Sequence, residues 1–141
     1  PEERLRFYHL LAELAEGRTV ILSTHIVEDV AVLCPRFSVI RDGRLIADTT
    51  PRAARDALAG TIFEGTVAPA ELPALRRERA VTQAILVEGR HRVRVHDPSG
   101  SVPPGFEPAT PTLEDAYLVL MRQANGAPGA EAATAAAGRE R

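Results

Sequence analysis

The chain contains the stretch Thr19-Val20-Ile21-Leu22-Ser23-Thr24-His25, an apolar, β-branched run that ends in two hydroxyls and a histidine. A helical pattern, Ile26-Val27-Glu28-Asp29-Val30, follows it at once. A run this short and this apolar is typical of a strand covered on both faces, as in a parallel α/β sheet. Because ligands bind at the carboxyl ends of strands in such sheets, His25 is placed to touch a ligand. Alternatively, His25 is a polar residue that ends the strand and helps to begin the next helix.

Composition and charge exclude several classes of protein. The 141 residues suffice for one ordinary domain or two small ones, and the apolar share of 45% with 26% charged residues is that of a globular protein. No apolar run is long enough to cross a bilayer, and the first residues lack a signal-peptide pattern. A net charge of -2 gives no general attraction to nucleic acid. The single cysteine, Cys34, excludes an internal disulfide and favours a reducing, cytoplasmic setting.

The first 60 residues follow the order of the last part of an α/β domain. The pattern predicts a helix over 2–16 closed by Gly17, a strand over 19–24 and a helix over 26–34 ended by Pro35. A strand over 37–40, a turn at 42–43, a returning strand over 44–47 and a helix from 50 to 58 come next. The chain lacks an initiator methionine and begins as a helix should, with proline followed by acids, so we expect a fragment whose earlier strands are missing.

A second unit is predicted from Thr61 onward. Strands over 62–67, 81–88 and 91–96 surround a helix over 69–79, and a proline-rich loop over 97–111 leads to a last helix over 112–123. Thr112 and Asp115 have the spacing of a capping box at its start. This order predicts a small sheet with helices on one face. The expected domains are 1–60, 61–124 and a disordered Ala/Gly/Glu-rich tail over 125–141.

Two sets of charged residues have more than one interpretation. Glu28 and Asp29 follow His25 at a spacing that could orient its imidazole, but acids in the first turn of a helix are also favoured by the helix dipole. The predicted strand over 91–96 and the residue before it carry three alternating arginines, which share one side of the strand, and two histidines: Arg90, Arg92, Arg94, His91 and His96. The arginines form either a patch that binds phosphate or nucleic acid, or a solvated outer face of the sheet. The lack of interleaved aromatic residues favours the solvated face.

Motifs for an independent active site are missing from the sequence. It contains no G-x-x-x-x-G-K-[ST], no G-x-G-x-x-G and no G-x-S-x-G. The chain alone is therefore not expected to cradle a triphosphate or to act as a serine hydrolase.

Several segments in a fixed order resemble the ATP-binding subunits of ABC transporters, of the drug-efflux or ABC-2 type. Residues 1–4 are similar to the segment after the D-loop, 19–24 to the last core strand, and Ser23-Thr24-His25 with Glu28-Asp29 to the H-loop with its switch histidine. Residues 36–46 with Asp42-Gly43-Arg44 resemble the closing hairpin, and 110–117 resemble the end of many such ATPases. Together these segments cover roughly residues 1–120.

The resemblance implies an α/β fold, namely the C-terminal part of a P-loop NTPase-like ABC ATPase domain over 1–60, followed by a small α+β accessory domain. It implies that His25 is the catalytic, nucleotide-binding residue, which contacts the γ-phosphate and helps to place the attacking water. ATP and Mg²⁺ would be cofactors of the full-length protein. The P-loop, Q-loop, signature motif, Mg-binding aspartate and catalytic glutamate would all precede Pro1, so this fragment alone is expected to bind neither cofactor and to be inactive.

The same resemblance implies a transport function. The full-length protein would couple ATP binding and hydrolysis to transport through a membrane-spanning permease subunit, paired with a second ATP-binding subunit and with no nucleic-acid partner. It would be cytoplasmic and peripheral to the inner face of the cell membrane. The alternative is a non-enzymatic α/β interaction or regulatory module derived from that fold.

Overall fold

A computed structural model of the chain describes residues 2–126, which form five helices and six strands. The helices are α1 (Glu2–Leu14), α2 (Val27–Leu33), α3 (Pro51–Asp56), α4 (Leu72–Glu78) and α5 (Leu113–Gly126). The strands are β1 (Phe37–Arg41), β2 (Arg44–Thr49), β3 (Ile62–Val67), β4 (Ala80–Val87), β5 (Arg90–His96) and β6 (Phe106–Pro108). Helix α5 takes in the first two residues of the tail predicted over 125–141, and the remainder of that tail lies outside the described residues.

The strands form two antiparallel sheets. The combination of these sheets with five helices confirms a mixed class of helices and strands at the coarse level. Strands β1 and β2 make a hairpin whose turn, Asp42-Gly43, has φ values of 49° and 72°. Positive φ at both turn residues is the geometry that an Asp-Gly pair favours, so the predicted hairpin is confirmed. The second sheet has the order β4-β5-β3-β6, with antiparallel pairing throughout.

The predicted loop over 97–111 is wrong at its centre, where β6 forms. Phe106, Glu107 and Pro108 pair with Gly65, Glu64 and Phe63 of β3. Gly65 permits this close approach, because a Cβ atom there would lie 2.8 Å from the Phe106 ring. A strand of three residues that ends in proline carries too little periodicity to be recognised in the sequence.

Helices cover both faces of the four-stranded sheet, so the prediction of helices on one face is wrong. Ile62 and Phe63 are neighbours on β3 and point to opposite faces. Ile62 packs with Leu113 and other residues of α5, whereas Phe63 packs with Leu72 of α4. Since β3 is apolar on both sides, each side needs its own helix.

The core on the α5 face joins elements from both halves of the chain. Ala54 in α3 and Leu58 just after it pack with Ile62 and with the buried side of α5. Val27 and Val30 of α2 lie against the same cluster. Helix α2 is therefore anchored to the interior of the protein.

The predicted strand over 19–24 does not form in the structure. These residues belong to neither sheet, and the side chain of Ile21 is 91% exposed. A strand needs a neighbour for its N–H and C=O groups, and the sheets of residues 2–126 offer none beside this stretch. The apolar face of α1 is likewise solvent-exposed at Phe7, Leu10 and Leu14.

Candidate functional site

His25 lies on an exposed bend between the extended stretch 19–24 and the first turn of α2. The Ile26 N–H donates to Oγ1 of Thr24 at 3.0 Å, which closes a short turn around the histidine. Ile26 holds the N-cap position with extended dihedrals, so α2 begins immediately after the bend. The imidazole is thus presented to solvent next to a helix that is fixed in the core.

The two acids after His25 bind α1. Asp29 is buried, and its Oδ1 accepts from Nη2 of Arg4 at 2.6 Å and from the Tyr8 hydroxyl at 2.7 Å. Arg4 Nη2 also donates to Oε2 of Glu28 at 3.1 Å. Hydrogen bonds from Tyr8 and then Arg4 lower the pKa of Asp29 below its ordinary value. The structure therefore gives both carboxylates a role in attaching α1 and no hydrogen bond to His25.

Sequence reasoning missed this contact between α1 and α2. Arg4 and Tyr8 are four residues apart and share one side of α1, a spacing that is visible in the sequence. Their acceptor lies more than twenty residues further on, and no local pattern connects the two sites.

Replacing Asp29 with alanine should loosen α1. Arg4 and Tyr8 then lose the acceptor they share, and we expect amide hydrogen exchange over residues 2–14 to accelerate about tenfold. The matched control is Glu28→Ala, which leaves every bond to Asp29 in place and should change exchange much less. Equal exchange in the Asp29→Ala variant and the unmodified chain would show that another contact holds the helix.

The arginines on β5 have different surroundings, which corrects their interpretation as one solvated face. Arg90 and Arg92 are exposed, but Arg94 is buried with 8% of its surface accessible. Helix α5 covers this part of the sheet, and Oδ2 of Asp115 on that helix accepts a hydrogen bond from Nη2 of Arg94 at 2.8 Å. The alternation along β5 correctly predicted that the three arginines share one face of the sheet. It could not predict that α5 would cover this face at Arg94.

Arg94 is the centre of a buried polar network. Its Nη1 donates to Glu64 at 2.9 Å and its Nη2 to the carbonyl oxygen of Thr110 at 2.7 Å. Asp115 also accepts from Thr82 at 2.5 Å and from the N–H and hydroxyl of Thr112 at 2.9 Å. The predicted capping box is thus confirmed, and its acid holds the sheet as well as the helix end.

These contacts decide the charge state of Asp115. Burial raises the pKa of this carboxyl, but the hydrogen bonds from Arg94, Thr82 and Thr112 outweigh burial, and the pKa is lowered overall. With its guanidinium engaged in this network, Arg94 does not present a charge on the surface beside Arg90 and Arg92.

Residues 2–126 hold no group of three His, Cys, Asp or Glu side chains able to bind a metal ion. Over the same range, no helix has both the length and the apolar character needed to span a bilayer.

Comparison with known proteins gives partial matches. Over 113 residues, or 80% of the chain, it is 34% identical to "Phospholipid-transporting ATPase ABCA7" of Homo sapiens. It is 45% identical over 51 residues to "Nod factor export ATP-binding protein I" of Rhizobium sp. (strain N33), and 46% identical over 54 residues to the protein of that name from Mesorhizobium japonicum.

The matches to the Rhizobium and Mesorhizobium proteins cover 36% and 38% of this chain, respectively. The chain spans 5% of the length of the human protein and 15% and 14% of the bacterial ones. No family model matches the chain, and no solved structure matches it. Part of this chain is therefore homologous to ABC ATP-binding proteins.

Proposed function

We propose that this chain forms the C-terminal portion of an ABC-transporter ATP-binding protein of the drug-efflux or ABC-2 type. The observation that carries the proposal is the similarity to an ATPase over 80% of the chain. The matching order of the H-loop-like stretch, the Asp42-Gly43 hairpin and the segment over 110–117 supports it. Residues 1–60 would belong to the ATPase domain, and 61–124 would be the accessory domain.

His25 would contact the γ-phosphate of ATP in that protein. Its exposure on a bend next to an anchored helix supports this role, because a phosphate contact must be both accessible and fixed in position. Phosphoryl transfer depends mainly on positioning and charge stabilisation, and a neutral or charged imidazole can donate a hydrogen bond to a phosphate oxygen. ATP and Mg²⁺ would be held chiefly by a P-loop and its partners, which this chain does not contain, and Mg²⁺ would neutralise phosphate charge.

The working assembly would contain a membrane-spanning permease subunit and a second ATP-binding subunit. Closing and opening of the two ATP-binding subunits would drive the permease, with this chain on the cytoplasmic side, peripheral to the inner face of the membrane.

The test is ATP hydrolysis by a protein that carries this chain together with a P-loop. We expect Mg²⁺-dependent hydrolysis by that protein and none by the 141-residue chain alone, because the chain has no G-x-x-x-x-G-K-[ST] loop. Folded protein that neither binds nor hydrolyses ATP would contradict the proposal. That result would favour a non-enzymatic interaction or regulatory module.

A further inference from the structure

The outer edge of β4 is open and apolar near the tip of its hairpin with β5. Strand β4 is the first strand of the four-stranded sheet, so within residues 2–126 it has β5 on one side and no strand on the other. Ile85, Leu86 and Val87 are 39%, 62% and 42% exposed. Long apolar edges of this kind are usually blocked or paired in natural proteins.

The hairpin geometry fixes which backbone groups face outward. The turn at Glu88-Gly89 has φ values of 49° and 77°, so it is a two-residue turn and Val87 and Arg90 are a hydrogen-bonded pair. Hydrogen-bonded and non-hydrogen-bonded pairs alternate along an antiparallel ladder. The N–H and C=O groups of Leu86 and Ala84 therefore point away from β5 and toward the open edge.

Two arginines flank this edge from the two faces of the sheet. Arg76 on α4 and Arg122 on α5 line a cavity of about 250 Å³ together with residues 81–84 of β4. Arg122 donates to the carbonyl oxygen of Val81, at the end of β4 away from the hairpin tip. Among the ion pairs of residues 2–126, none involves Arg76, Arg122 or Glu88.

We propose that β4 pairs antiparallel with β4 of a second copy of this chain, about a two-fold axis at Ile85. In that register Ala84 of each copy lies opposite Leu86 of the other, and the outward groups of both residues form hydrogen bonds. The same register carries the Glu88-Gly89 turn of each copy toward the irregularity between Val81 and Gln83 in β4 of the other. Glu88 at the hairpin tip of each copy then reaches the cavity lined by Arg76 and Arg122 of the other.

Charge complementarity selects a second copy as the occupant. In a two-fold dimer, Glu88 of each copy faces Arg76 and Arg122 of the other, so the attraction between opposite charges occurs twice. An unrelated extended peptide would need its own acidic residue at the matching position. The contact uses the accessory half of the chain and does not involve His25. The proposed dimer contact therefore does not depend on the proposed ATPase role, and each can be tested without the other.

The test is the oligomeric state of the 141-residue chain, measured by sedimentation equilibrium over a concentration series. We expect the apparent molecular mass to rise with concentration from 15.2 kDa toward twice that value. The dissociation constant should be large, because the paired segment is short. Leu86→Pro should keep the chain monomeric, because it removes the outward N–H while proline is tolerated on an edge strand. The matched control, Leu10→Arg on the exposed face of α1, should dimerise like the unmodified chain.

Charge reversal tests the register and does not rely on Leu86→Pro remaining folded. Glu88→Arg should raise the dissociation constant about tenfold or more, and adding Arg76→Glu should recover part of the loss. A chain that is monomeric at every concentration would overturn the proposal. So would dissociation caused by Leu10→Arg, a dimer that survives both Leu86→Pro and Glu88→Arg, or a double variant with no recovery.

Discussion

His25→Ala should lower ATP turnover about 100- to 1,000-fold in a protein that carries this chain together with a P-loop, while ATP binding is largely retained. The imidazole would contribute a single hydrogen bond to the γ-phosphate, which matters most as charge redistributes during transfer. Ground-state binding of ATP depends on many contacts supplied by the P-loop, and losing one of them changes affinity little. The variant should therefore be a slow enzyme that still binds its nucleotide.

The control for this substitution is another histidine in the same chain. His9 is exposed on α1, well before the bend that carries His25, and His9→Ala should leave turnover unchanged. His25→Gln keeps an N–H donor on a flexible side chain and should retain part of the activity. Steady-state hydrolysis and equilibrium nucleotide binding, measured on all three variants, separate the catalytic effect from a binding defect. Unchanged turnover in His25→Ala would remove the assigned role.

Local signals in the sequence predicted most elements of the fold. Helical spacing, the Asp42-Gly43 turn, and the caps at Thr50 and Thr112 all act within a few residues, and each is confirmed in the structure. The stretch 19–24 behaves differently because strand formation depends on partners that are distant along the chain. Its apolar, β-branched composition shows a tendency to pair, and residues 2–126 supply no strand beside it.

The charged contacts were the least predictable part. Arg94 alternates with Val93 and Val95, both fully buried, and this placement on a core strand is the one signal that its own face is also covered. The spacing of Thr112 and Asp115 predicts a capping box, which accounts for the bond between Asp115 and Thr112. Nothing near either residue in the sequence indicated that the two would meet, because α5 reaches β5 only through tertiary packing.

Asp115→Ala should lower the free energy of unfolding by about 3–5 kcal/mol. The Asp115 side chain is 1% exposed, and its removal leaves the buried Arg94 guanidinium without its closest carboxylate. Thr82 and Thr112 lose an acceptor at the same time. Breaking a buried ion pair from one side is strongly destabilising, and Glu64, whose side chain is 36% exposed, compensates the remaining Arg94 charge only in part. Urea denaturation followed by circular dichroism measures the loss.

The matched control is Asp48→Ala, which removes an aspartate from an exposed ion pair. Asp48 accepts from Arg36 at 2.8 Å, but its side chain is 40% exposed, so we expect a loss of about 0–1 kcal/mol. Equal effects at Asp115 and Asp48 would show that burial does not govern the contribution of the Arg94 network.

The dependence of stability on pH gives a second measurement of the same network. The pKa of Asp115 is lower in the folded chain than in the unfolded chain, so its contribution to stability is present above the unfolded value, near 4. It is lost as the pH falls below that value toward the folded pKa. Asp115→Asn removes the titrating group while keeping a hydrogen-bonding side chain, and its stability should fall less steeply than that of the unmodified chain over this acidic range. A parallel fall in both proteins would assign the acid sensitivity to other carboxylates.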